Sequence, residues 1–438
     1  MIERERQGTI IQEPKQQTIR GGLQCDEMGL GKTMQMLGTM LNNPRELTLL
    51  VCPLAMIHTW QQAAERAGQK ILLTHTEGPG IVIVNYDKLV RHPSAYTSIW
   101  WDRIVVDEAH ALRNPKGALI SVLKTLKATI RWALTGTPIV NSARDLFSIL
   151  SFLGVPLPKK RTSQTTRLHL TNLAASTMIH RCAADARAAG VPMPPEPEVT
   201  HTTLEFATPA ERDLYRGFQE RAKTLAEAAA RSRNAAMLFL LLIRLRQISV
   251  HPQVYINARR QADPLFKEDW AISPDKATKT AELCRILSAR TPTDKYLVFC
   301  QFIDEMNILK QVLTAANIST ETFNGSMSQT ERTAALERAR QPDTTVLLIQ
   351  IQCGGVGLNL QEFNHCIFMS PWWTAALMDQ AVARCVRIGQ KRQVHVVHLL
   401  YAEEETFNID AFMTEKAENK RVLLENLFTT AASTTNKQ

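Results

Sequence analysis

The residues with the clearest capacity for chemistry stand at positions 26–33: Asp26, Glu27, Met28, Gly29, Leu30, Gly31, Lys32 and Thr33. Gly29 and Gly31 let a loop curl so that backbone N–H groups face one point, the shape of a phosphate cradle. Lys32 can reach the terminal phosphates of a nucleotide, and the Thr33 hydroxyl can ligate magnesium. The MQMLGTML that follows reads as a helix, whose N-terminal dipole favours an anion. Asp26 occupies the place where a phosphate loop usually begins with glycine.

Downstream, an apolar run ends in Asp107-Glu108-Ala109-His110. A carboxylate at the C-terminal end of a strand, in a lobe with a phosphate loop, is where magnesium is held, which assigns Asp107 to the metal beside Thr33. Glu108 is placed to polarise a water for attack on a terminal phosphate. The two segments together imply a nucleoside triphosphate bound with Mg2+.

These residues need strands to carry them. Short β-rich runs alternate with helical patterns in two stretches. The first has Leu47–Cys52, 81–86, 104–107 and 133–135; the second has 296–302, 345–351, 365–370 and 394–400. Near-continuous apolar strands of this kind belong in parallel sheets covered on both faces, so each stretch predicts one doubly wound α/β lobe. Between the lobes, residues 209–248 are rich in Ala, Leu, Arg and Glu and predict long helices. A proline-rich loop at 191–197 precedes them, and a linker at 251–274 follows. Residues 403–427 read as another helix, and the polar tail from Thr429 as frayed. The expected division is 1–155 for the first lobe, 156–274 for the helical insertion and linker, 275–402 for the second lobe, and 403–438 for the closing helix and tail.

The chain has 438 residues, 45% apolar and 21% charged, which excludes wholesale disorder, collagen and a coiled-coil rod. No apolar run approaches the ~20 residues that span a bilayer, and MIERERQ lacks the apolar segment of a signal peptide. A soluble, intracellular chain without a membrane partner is expected. The eight cysteines include no C-x-x-C pair, so no zinc site is expected and free thiols are. Net charge is +9. Residues 151–262 hold 16 basic and 8 acidic side chains, a surplus of +8 that suits a polyanion such as nucleic acid.

With these motifs placed, the chain resembles the SWI/SNF-type ATPases, a branch of superfamily two of helicase-like proteins, over nearly its whole length. DEMGLGKT is that family's form of the phosphate loop, Asp26 included. VCPLAMIHTW (51–60), WDRIVVDEAHALRN (101–114) and LTGTPIVN (134–141) match its next motifs in order. In the second stretch YLVFCQF, FNGSMSQTER, GGVGLNL, SPWW, DQAVAR and RIGQ follow in the family's order, and LRQISVHPQVY (245–255) matches the segment before its linker. The resemblance implies two RecA-like lobes with ATP and Mg2+ between them, the whole segment 26–33 and Gly357 binding nucleotide, and Arg384 and Arg387 crossing to its phosphates. It implies that motif 51–60, a strand end plus a tryptophan, touches a DNA backbone and that 134–141 links hydrolysis to lobe movement. The implied activity is a DNA-dependent ATPase that moves on double-stranded DNA and remodels DNA–protein complexes, nucleosomes among them. A nuclear setting, the host nucleus if the source is viral, follows from that substrate.

The chain departs from the family at Val386, where histidine is usual, and at Gln350, Ile351, Gln352 and Cys353, where a small polar residue and a lysine are usual. Gln7 is a candidate for adenine recognition. No cysteine lies between His251 and Pro274, so the RING of some relatives is absent. An RNA helicase and a degenerate ATP-binding module with little turnover stand as alternatives; RIGQ and PWW oppose the first, and the intact Lys32, Glu108 and Arg387 oppose the second.

Overall fold

The computed structural model describes residues 1–11, 16–72, 78–140, 142, 144–157, 164–231, 234–354, 358–402 and 407–435. The chain divides into two compact units, Met1–Met193 with Glu418–Gln438, and Pro194–Ala417. Each is built on one parallel sheet.

In the first unit a short antiparallel ribbon, β1 (Thr9–Ile11) and β2 (Gln17–Ile19), precedes the sheet. The sheet strands are β3 (Gly21–Gln24), β4 (Leu47–Cys52), β5 (Ile71–Leu72), β6 (Gly80–Asn85), β7 (Trp100–Asp107), β8 (Lys127–Leu134) and β9 (Met178–Ile179). Their order is β5-β6-β4-β7-β8-β3-β9, all parallel. Five of the six β4 residues are buried, as expected of a strand covered on both sides. The helix Asp145–Leu153 buries eight of its nine residues and stops at Gly154, whose φ of 82° is the usual left-handed helix terminator.

The second sheet comprises β10 (Glu198–Leu204), β11 (Tyr296–Cys300), β12 (Thr320–Phe323), β13 (Val346–Gln350), β14 (His365–Phe368) and β15 (His395–Tyr401). The order is β10-β15-β14-β11-β13-β12, again all parallel. Period-two alternation divides its side chains between two cores. Leu297, Phe299, Leu347, Ile349 and Phe368 enter one; Tyr296, Val298, Leu348 and Ile367 enter the other. The fold is thus α/β with two doubly wound parallel-sheet lobes.

Helices Pro209–Arg231 and Ala235–Val250 confirm the helical reading of 209–248 and pack with Tyr215, Phe218, Leu245, Ile248, Ile409 and Met413 in a cluster of their own. Two local expectations change. The 251–274 segment opens with a helix, Pro252–Ala262, because His251 caps it and Pro252 supplies the fixed φ that suits a first turn. The closing helix runs Ile409–Thr435, past the start of the expected frayed tail. None of the eight cysteines is disulfide-bonded. No described helix is long and apolar enough to cross a membrane.

Candidate active site

Three strand ends create the site. Gln24 of β3 and Asp107 of β7 both stand level with Leu134 of the intervening β8. The segments that leave these strands, 25–33, 107–110 and 135–137, therefore meet at the carboxyl edge of one sheet, where ligands of such sheets bind.

Gly31 has φ 73° and begins the helix Lys32–Asn42, which has no side-chain cap. The Lys32 ammonium donates to the carbonyls of Asp26 (2.8 Å) and Glu27 (3.3 Å). A Cβ on Gly136 would lie 2.9 Å from Cγ and Cε of Met28 and 3.4 Å from the Lys32 ammonium, so this glycine lets segment 135–137 close on the loop. Burial lowers the Lys32 pKa, and Glu108 and Asp107 oppose that shift.

Asp107 is 6% exposed and closely held. Its Oδ2 accepts the Trp60 indole N–H at 2.7 Å, and its Oδ1 accepts the Glu108 N–H at 2.9 Å. The Tyr86 hydroxyl donates to the carbonyls of Asp107 and Glu108. Burial, then the neighbouring Glu108 charge, raise the Asp107 carboxyl to about 6. Within motif 51–60 the Trp60 side chain is fully buried and serves Asp107.

Glu108 has φ 49°, a left-handed conformation that only Asn317 shares among the described non-glycine residues. Strain of this kind concentrates at working sites. The turn brings Glu108 Oε2 within 3.3 Å of His110 Nδ1, which lies 3.4 Å from the Thr135 hydroxyl. Thr135 Oγ1 also accepts the Thr137 N–H at 3.1 Å. Contacts thus run from Glu108 to segment 134–141.

Asp26 is fully buried and forked by Arg181, with bonds of 3.2 Å to Oδ1 and 2.5 Å to Oδ2. An aspartate at this position therefore carries a structural ion pair that glycine could not. Trp60, Tyr86, Thr135 and Arg181 were all absent from the sequence-derived site; Trp60 and Thr135 lie inside quoted motifs, whereas nothing local marks Arg181.

An ammonium, a curled glycine loop at a helix start, a hydroxyl and a carboxylate form a donor set that fits a triphosphate with magnesium. The described residues hold no cluster of three or more His, Cys, Asp or Glu suited to a metal. Thr33 and Asp107 would instead need phosphate oxygens and water to complete a magnesium shell.

In the second unit, Arg384 and Arg387 flank buried Cys385 after the helix Ala375–Val382. The Gln390 amide donates to the carbonyls of Gln361 (2.8 Å), Phe363 (3.4 Å) and Cys385 (3.4 Å). Gln361 donates to the carbonyl of Ile388 at 2.8 Å. Two glutamines therefore pin the arginine segment. Val386 packs against the adjacent core. Gln350 accepts the Gly325 N–H at 3.0 Å, tying a departing position to the turn of FNGSMSQTER. Gly357 lies outside the described residues. Gln7 ends the helix Ile2–Arg6.

Residues 1–254 match the family model of the SNF2-related domain. The chain belongs to the SNF2-related family of helicase-like ATPases. Residues 278–389 of this SNF2-related chain match the helicase conserved C-terminal domain. It is 27% identical over 444 residues to the "Probable global transactivator" of Orgyia pseudotsugata multicapsid polyhedrosis virus, covering 93% of this chain and 87% of that protein. It is 26% identical to DNA repair protein RAD5 of Yarrowia lipolytica, covering 88% of this chain and 54% of that one. The chain thus spans about half the length of that yeast relative. A solved Sulfolobus solfataricus SWI2/SNF2 ATPase core in complex with double-stranded DNA aligns at TM-score 0.40 and 23% identity, covering 93% of this chain and 92% of that one.

Proposed function

We propose that this SNF2-related ATPase is a motor that tracks on double-stranded DNA and remodels DNA–protein complexes. The observation that supports the reading best is the meeting of Lys32, Asp107 and Glu108 at one sheet edge, beside a segment that contacts Glu108 through His110. Lys32 and the amides of 26–33 bind the phosphates, with Gly357 contributing from the second lobe. Thr33 and Asp107 hold Mg2+, which when bound supplies charge neutralisation at phosphate oxygens. Glu108 orients the attacking water and draws its proton. Arg384 and Arg387 meet the charge that develops on the transferred phosphoryl. The His110–Thr135 contact carries the change at Glu108 to segment 134–141.

The basic residues of 151–262, apart from Arg181 on Asp26 and the buried Arg246, supply the grip on DNA, mainly at phosphates. Affinity should then be steeply salt-dependent and nearly blind to sequence. Nucleosomes and other DNA-bound proteins are the proposed cargo, and the nucleus the proposed compartment.

Steady-state ATP turnover with no nucleic acid, duplex DNA, single-stranded DNA or RNA tests the reading, with Lys32→Ala as control. Strong stimulation by duplex, abolished in the variant, is expected. Stimulation by RNA alone would transfer the chain to the RNA helicases. ATP binding without turnover under any condition would favour the degenerate module, which the substituted Val386 and 350–353 positions would then explain.

A further inference from the structure

The phosphate loop is buttressed by a strip of chain far away in sequence. The Cys25 N–H donates to the Ile179 carbonyl at 2.7 Å, and the Glu27 N–H to the Arg181 carbonyl at 2.9 Å. The Ala183 N–H returns a bond of 2.6 Å to the Glu27 carboxylate. His180 stands in the middle, its Nδ1 2.8 Å from the Cys25 carbonyl oxygen. A carbonyl only accepts, so Nδ1 carries the proton.

The exposed side of this strip is not bare. Phe428 lies flat on the His180 ring, with centroids 3.7 Å apart and planes 2° from parallel. Its neighbour Leu427 is fully buried in the core of the same unit. Both come from the closing helix, Ile409–Thr435.

The geometry points to the closing helix as a positioning element of the phosphate loop, acting through Phe428 and His180. The peptide that joins Cys25 to Asp26 is a rigid plane, with the carbonyl of Cys25 on one side and the N–H of Asp26 on the other. A donor fixed on that carbonyl sets where the Asp26 amide points. Phe428 removes the freedom of His180 to rotate off the carbonyl. The inference rests on the reading of 26–33 as the nucleotide loop, and His180 meets that loop at the Cys25 carbonyl.

The test is the affinity of the full chain for a fluorescent ATP analogue, with KM and kcat for ATP alongside. Phe428→Ala and His180→Ala should each weaken binding about tenfold, the size of one lost hydrogen bond, and raise KM while kcat at saturating ATP stays within about twofold. His180→Asn keeps a donor at the Nδ1 position and should recover part of the loss; Phe428→Tyr keeps the stack and should bind like wild type. Phe428→Leu preserves apolar volume without a ring, and serves should the alanine variant not fold; the same weakening is expected. Amide exchange across 25–33 should quicken in the weakened variants. Wild-type affinity in Phe428→Leu and His180→Ala would overturn the inference, as would a fall in kcat with KM unchanged. Failure of the wild type itself to bind the analogue would instead sink the nucleotide reading.

Discussion

Asp26 and Arg181 stand 155 residues apart in the chain and are joined by a forked ion pair, 3.2 Å and 2.5 Å long, at the mouth of the phosphate loop. Asp26 is fully buried, whereas the Arg181 side chain is 52% exposed. The carboxylate is thus the member that cannot afford to lose its partner. Asp26→Ala should reduce ATP affinity about tenfold or more, and Arg181→Lys, which cannot fork, should fall between it and wild type. Nucleotide titration of the two variants checks this, and equal affinities would refute it.

Trp60 gives Asp107 a buried donor. Trp60→Phe keeps most of the ring and leaves the carboxylate one bond short, a cost of about 1–3 kcal/mol. The expected results are a lower denaturation midpoint and a weaker response of turnover to Mg2+. A variant that matched wild type in both would show the bond to be idle.

Glu5 and Arg103 form a fully buried pair of 2.5 Å in the first unit. The same carboxylate accepts from Trp132 (2.9 Å) and Asn43 (2.7 Å). Glu5→Ala would strand a buried guanidinium, so a loss of about 3–5 kcal/mol is predicted. Urea unfolding of the variant measures it; a loss below about 1 kcal/mol would mean that water reaches Arg103.

Glu305 sits 1% exposed at the start of the helix Ile303–Ala315, accepting from the Gln301 (2.8 Å) and Phe302 (3.2 Å) amides. Burial raises its pKa from 4.5 to about 7, against the pull of those bonds, Lys279 and Arg246. The folded chain holds this proton more tightly than the unfolded chain. Its contribution to stability is therefore complete below 4.5, fades as pH rises and is gone above about 7. Glu305→Gln cannot ionise, so its Tm relative to wild type should climb between pH 5 and pH 8. A constant difference across that range would contradict the assignment.

The strands that were legible from sequence are the ones whose burial shows in composition, such as β4, LTLLVC. β3 was not legible. It reads GGLQ, yet all four residues are buried, and a Cβ on Gly21 would lie 2.0 Å from the Arg131 carbonyl oxygen. Close approach to β8, rather than β propensity, selects that glycine. β10 follows a proline-rich stretch and is largely exposed, so nothing apolar marks it as the strand that pairs with β15. At the site, Lys32, Asp107 and Glu108 were legible because spacing and residue type carry their chemistry. Arg181 and Phe428 were not, since their partners are distant in sequence and only the fold brings them together. Arg246 is a similar case, buried with its guanidinium 4.9 Å and 4.8 Å from the rings of Trp372 and Trp373.

The most direct test of the motor is displacement of a third strand bound to a duplex, with ATP, by wild type and by Glu108→Gln. Duplex tracking predicts that wild type removes the third strand while leaving the underlying duplex paired, and that the variant binds ATP and DNA but removes nothing. Robust wild-type ATP turnover with the third strand left in place, or separation of the plain duplex itself, would contradict it.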